Sequence, residues 1–123
     1  MSTRYTDAPV AIDDMLERLQ SLQVRIPSTG EVRGYLSRYP ELTDLVARAA
    51  ASARESFRGT AQLSLEIYRD READDEFLCL CIRQWAYDDG VMEKIERLWS
   101  EFEDELAHTR GWLQISTYFQ APR

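Results

Sequence analysis

Histidine is nearly missing from this chain, with His108 the only one in 123 residues. A site built on several imidazoles is therefore excluded, and nucleophilic catalysis would have a single neutral-pH base to draw on. Cysteine is scarce too, present only as Cys79 and Cys81. A four-thiolate zinc site is out of reach. Two apart on a strand, both side chains point to one face, and a bond between them would distort the backbone. They read as small buried hydrophobes packed under a helix in a reducing compartment. Five glycines leave no glycine-rich phosphate loop and no G-x-S-x-G elbow. No apolar run approaches the roughly 20 residues that span a bilayer, so no membrane partner is expected. The first ten residues, MSTRYTDAPV, also lack the basic start and apolar core of a signal peptide, and a cytoplasmic location is expected. Nothing in this inventory asks for a cofactor, and none is expected.

Lysine is the other gap: Lys94 stands alone against fourteen arginines. The charge is unevenly spread. Residues 1–60 hold eight acids and eight bases, whereas residues 61–123 hold fourteen acids and seven bases and carry the whole net charge of −7. A phosphate backbone would be repelled by such a half, because nucleic-acid affinity rests on Lys and Arg displacing counterions. Direct nucleic-acid binding is not expected; a basic protein partner is.

What is present is periodicity. At this length one domain can bury about two thirds of its unfolded surface, enough for a core without staples. We expect a tail over residues 1–8 and a single α+β domain over 9–123, with a helical part over 9–60 and a β-β-α-β part over 61–119. Ile12, Met15, Leu16, Leu19 and Leu22 give a helix over roughly 9–23, with Pro9 near its start. Pro27 to Gly30 break it, and Ser28 or Thr29 suits the next cap. Pro40 predicts a break between a helix carrying Val32, Leu36 and Tyr39 and a longer one carrying Leu42, Leu45, Val46, Ala49, Ala53 and Phe57, with Gly59 as its stop.

The strongest pattern lies between residues 63 and 82. Leu63, Leu65 and Ile67 alternate with polar positions, as do Leu78, Leu80 and Ile82 with Cys79, Cys81 and Arg83, which predicts a β-hairpin. Asp88, Asp89 and Gly90 then turn the chain into a helix over 91–108, and GWLQISTYF reads as a last strand. A helix between the second and third strands is a right-handed crossover that leaves those two parallel. The expectation is a three-stranded mixed sheet, with the hairpin's first strand between the other two. The 91–108 helix packs on its inner face, and the first helices or a partner cover the second face, which carries Phe77, Cys79, Cys81, Trp112 and Tyr118.

Two groups of residues invite a functional reading. The connector concentrates Asp70, Glu72, Asp74, Asp75 and Glu76, a solvated acidic turn that matches no calcium-loop frame. Trp85, Tyr87, Trp112 and Tyr118 are aromatics rimmed by charge, the composition of an interface anchor, whereas Trp99 and Phe102 fit a core. These nine connector and aromatic residues are the expected partner-binding set; no catalytic and no metal-ligating residue is assigned.

The stretches YPELTDLV, LSLEIYRDREADDEFL and YDDGVMEKIERLWSEFEDEL, followed by GW and a final aromatic strand, resemble a family of small bacterial hypothetical proteins. The resemblance covers roughly residues 35–122. It implies a bacterial, intracellular protein and carries over no catalytic residue; such small acidic proteins are associated with two-gene modules in which one product neutralises a toxic partner. The leading expectation is a non-enzymatic, acidic interaction protein, antitoxin-like or immunity-like, that inhibits a basic partner. The alternative is a metal-dependent hydrolase or nuclease using Glu66, Asp70 and Asp74. A homodimer joined through the sheet edge or the Trp112 face is a third reading.

Overall fold

A computed structural model describes residues 4–57, 61–70, 72, 75–84 and 90–117. Four helices and four strands follow one another: α1 (Arg4–Ser21), β1 (Val24–Arg25), α2 (Thr29–Arg38), α3 (Leu42–Ser56), β2 (Ala61–Asp70), β3 (Asp75–Gln84), α4 (Val91–Leu106) and β4 (Leu113–Thr117). The fold is α+β with a mixed sheet in the order β1-β2-β3-β4.

The hairpin is the sheet's centre. β2 and β3 pair antiparallel from Ala61↔Gln84 to Asp70↔Asp75, so Leu63 faces Ile82, Leu65 faces Leu80 and Ile67 faces Leu78. The alternation that predicted the hairpin thus sets its register, because a slip by one residue would turn every leucine to the other face. β4 returns parallel to β3, with Leu113 opposite Leu78 and Ile115 opposite Leu80, as a crossover through α4 requires.

Three expectations are corrected. The sheet has four strands, not three. Gln23 adopts φ 62°, and the Arg54 guanidinium donates to the carbonyls of Leu22 (2.9 Å), Gln23 (3.0 Å) and Ala61 (3.2 Å). That fork holds the turn after α1 against the start of β2, so Val24 and Arg25 pair parallel with Leu63 and Ser64. A strand of two residues has no periodicity to read. Second, the hairpin's first strand does not lie between its second strand and the last one: β4 pairs directly with β3, and β2 lies between β1 and β3. The Leu78 N–H donates to the Trp112 carbonyl at 3.0 Å, bringing the chain in beside β3. Third, α1 begins at Arg4, so residues 4–8 belong to the helix rather than a tail, and Pro9 lies in its second turn.

The break at Pro40 falls where expected: α2 ends at Arg38 and α3 starts at Leu42. Ser28 holds the N-cap position of α2 without a side-chain cap bond to the backbone. Its hydroxyl hydrogen-bonds Glu31 instead; that bond and, ahead of it, the one from Arg69 hold the Glu31 carboxyl below its ordinary value. The expected stop at Gly59 lies outside the described residues.

All four helices share one core with the inner face of the sheet. Leu19, Val32, Leu36, Leu42, Val46, Ala49 and Phe57 are buried together with Leu63, Leu65, Leu78, Leu80, Ile82, Leu98, Phe102, Leu113 and Ile115. The small Ala49, Ala50 and Ala53 are fully buried, the close approach their size allows. The first helices therefore join α4 on the inner face. Tyr35 ties α2 to two strands: its hydroxyl donates to the Glu76 carbonyl at 3.3 Å and accepts the Trp112 N–H at 3.0 Å. No described helix is long and apolar enough to cross a membrane.

Candidate functional site

On the second face, residues of opposite polarity meet in a buried cluster. Ser64, Glu66, Cys79, Cys81 and Arg83 share that face by strand parity, with Glu66 opposite Cys79 and Ser64 opposite Cys81. Arg83 Nη1 donates to Ser64 Oγ at 3.0 Å, Arg83 Nη2 lies 3.4 Å from Glu66 Oε2, and Ser64 Oγ donates to Glu66 at 2.6 Å. Burial alone would raise the Glu66 carboxyl, but Ser64 and Arg83 outweigh it and hold its pKa below the ordinary value. Glu66, one residue of the hydrolase alternative, is thus committed to an internal ion pair. Among the described residues no cluster of three or more His, Cys, Asp or Glu could hold a metal ion.

Cys79 and Cys81 are free thiols, 1% and 0% exposed, with sulfurs 3.1 Å apart. They are buried as expected, but they lie outside the core cluster that the helices cover. The hydrogen bond to Cys79 and then burial push the Cys81 pKa far up. Its proton therefore stays on in the folded chain while the unfolded thiol ionises above about pH 8.5. Stability from this group is complete below that pH and is lost as pH rises above it, by up to about 1.4 kcal/mol per pH unit. Denaturant titrations between pH 7.5 and 9.5 are expected to show this decline, and Cys81→Ala to flatten it. Neither thiol is expected to take up iodoacetamide until the chain unfolds.

Of the expected partner-binding residues, Asp70, Glu72, Asp75, Glu76 and Trp112 are described, and the Tyr35 hydroxyl bridges the backbones of Glu76 and Trp112. Glu76 is half-buried and gripped by Arg38 and by Arg69, whose Nε is 2.8 Å away; Arg69 also pairs with Glu31. Its carboxylate fastens the hairpin to α2. Asp75 is exposed and accepts the Glu76 N–H at 2.9 Å, Glu72 is exposed, and Asp70 is the last residue of β2. Asp74, Trp85, Tyr87 and Tyr118 lie outside the described residues.

Trp112 is where the expectation meets an open site. It is 39% exposed and packs edge-on against Trp99 of α4, with ring centroids 5.5 Å apart. Beside this pair a groove of about 500 Å³ runs between α4 and β4, lined by Met92, Ile95, Glu96, Trp99 and Ser100 on one side and residues 114–117 on the other. Met92 is 47% exposed, so the apolar stripe of α4 is wider than its core-facing set of Val91, Ile95, Leu98, Phe102 and Leu106. Sequence reasoning assigned Trp99 to the core. The step from 92 to 96, 99, 100 and 103 runs down one side of a helix, a signal that they line a common flank.

The charge on that flank is unbalanced. Glu93, Glu96, Glu103 and Asp104 are exposed, and none has an ion-pair partner among the described residues. Among the described residues only Glu105 is neutralised, by Arg48, which also binds Asp44 at 2.8 Å and so links α3 to α4. The last turn of α4 contains no base. Acids there oppose the helix dipole.

Comparison of the chain with protein-family models, with curated proteins and with solved structures finds no match.

Proposed function

We propose that this chain is a non-enzymatic, acidic interaction protein whose partner is a basic protein, acting in the manner of an antitoxin or immunity protein. One observation carries the reading. α4 keeps a row of uncompensated carboxylates, some placed against its own dipole, beside exposed Trp112 and Met92. Solvent-facing acids speed the encounter with a basic partner, and a partly exposed tryptophan supplies the apolar anchor that charge alone lacks. The acidic connector of the hairpin adds to the same long-range field.

The test is co-purification with the product of the adjacent gene, at low salt and at about 0.5 M salt, where surface attraction is screened within a few ångströms. We expect retention at low salt, loss at high salt, and weakening when Glu93, Glu96 and Glu103 are changed together to glutamine. A toxic neighbour whose growth inhibition is relieved by co-expression would support the inhibitor reading. Binding indifferent to both salt and the triple substitution would count against the acidic interface.

A further inference from the structure

We propose that the flank of α4 beside β4 receives an amphipathic helix of the partner, laid along α4 with its apolar side chains in the groove and its basic ones on the acidic rim. The inference rests on the reading above and specifies which element of the partner binds, and where.

Recognition through the backbone of β4 is closed to a partner. Leu113 and Ile115 are 0% and 3% exposed, and the Thr117 hydroxyl donates to the Ile82 carbonyl at 2.7 Å. An extended segment in the groove would therefore leave its own N–H and C=O groups unpaired, whereas a helix satisfies most of them internally and needs only side-chain partners.

α4 offers those side chains as a repeat. Met92, Glu96, Trp99 and Glu103 follow at steps of four, three and four, so they form one row down the helix in which apolar and acidic positions each recur after seven residues. That is the interval at which a second helix, crossing at about 20°, meets the same face again. From Met92 to Glu103 the row is about 16 Å long, three turns of a partner helix. Met92 is exposed, Trp99 is half-buried, and exposed Trp112 packs on Trp99, so the apolar strip widens toward the start of β4. Half-buried Gln114 and Ser116 line the opposite wall.

Charge selects the occupant. Glu96 and Glu103 are exposed, and neither has an ion-pair partner among the described residues. The bases of α4 stay off the row: Lys94 lies over the Phe57 ring at 5.3 Å, and Arg97 is turned about 100° from Glu96 around the helix axis, away from Trp99. A partner helix with an apolar residue at every seventh position, and a lysine or arginine three or four residues after each, meets both features. A second copy of this chain is the poorer occupant, because it would bring the carboxylates of two α4 helices together on chains that each carry −7.

The probe is a fluorescein-labelled, alanine-based peptide of about 20 residues, long enough to form a helix, with leucine at every seventh position and lysine four residues after each. Two controls keep its composition and charge: in one a central alanine becomes proline, and in the other the lysines move to the opposite side of the helix. Binding to the full chain is read by anisotropy at low salt, with circular dichroism confirming that variants keep their fold. We expect the parent peptide to bind and to gain helicity, and each control to bind about tenfold more weakly or worse. Changing Glu96→Lys and Glu103→Lys together is expected to weaken the parent peptide by at least as much. If either control binds as tightly as the parent, if the double substitution has no effect, or if no peptide binds, helix docking on this flank is overturned. The acidic-binder reading then stands if salt-sensitive co-purification is still observed, and falls with the proposal if it is not. Sedimentation as a dimer that the peptide dissociates would assign the groove to a second copy and overturn the proposal.

Discussion

Glu66→Leu is expected to destabilise the fold by roughly 2–4 kcal/mol, measured as a shift in the urea midpoint at unchanged slope. The side chain of Arg83 is 4% exposed and that of Glu66 is 22% exposed, so a guanidinium already removed from water would lose the carboxylate that faces it. Breaking a fully buried pair costs about 3–5 kcal/mol; the residual exposure of Glu66 places this one somewhat lower. Pairing Glu66→Leu with Arg83→Met removes both charges and is expected to recover most of the loss, since apolar residues of similar volume replace such pairs at little cost. The same ion pair sets an acid limit. The folded pKa of Glu66 lies below its unfolded value, so its contribution is complete above about pH 4.3 and disappears as pH falls through the folded value. The Glu66→Leu, Arg83→Met double variant is expected to lose less stability than the parent over that range.

Gly111→Ala is expected to cost about 1–2 kcal/mol, although alanine is ordinarily the more stabilising of the two residues outside special conformations. A Cβ at this position would lie 2.6 Å from Leu42 Cδ1 and 2.9 Å and 3.0 Å from Cγ and Cβ of Tyr39. Leu42 is fully buried at the start of α3 and cannot swing away, and the Cβ of Tyr39 is fixed by the backbone. Overpacking of about 1–3 kcal/mol thus outweighs the roughly 0.4–1 kcal/mol gained by restricting the unfolded chain. The requirement is for space, not for an unusual backbone angle. Thermal denaturation measures the loss. Because Trp112 is the next residue, Gly111→Val is also expected to displace the indole from Trp99 and to shift tryptophan fluorescence.

The elements that alternate or repeat over several turns were legible in the sequence. Leu63, Leu65 and Ile67 against Leu78, Leu80 and Ile82 predict the hairpin, and Pro40 separates α2 from α3. β1 was not legible, because its pairing depends on Arg54 capturing carbonyls from two distant segments, an interaction without a local pattern. The order of the strands was missed for a related reason: periodicity identifies a face, but only the backbone bond from Leu78 to Trp112 selects a neighbour. Trp112 was read as a surface residue from its charged surroundings, and it is 39% exposed. Its setting was not, because the groove arises where α4 overhangs the sheet, and a helix pattern does not reveal which of its apolar residues stay uncovered. In the connector the sequence shows charge but not engagement; Glu76 is gripped by its cross-strand neighbour Arg69 and by Arg38 of α2, far away in the chain.

The ladders also differ in how much chain each must close. The two central strands meet across a connector of a few residues, whereas residue 24 must find residue 63 and residue 78 must find residue 113. Loop-closure entropy rises with the length enclosed, and pairings between distant residues slow folding. The hairpin can nucleate locally; both outer strands depend on a helix being carried across the sheet first. The strand β4 is thus among the last parts that folding completes, and a nascent chain would form the groove beside α4 only after the core beneath it is closed.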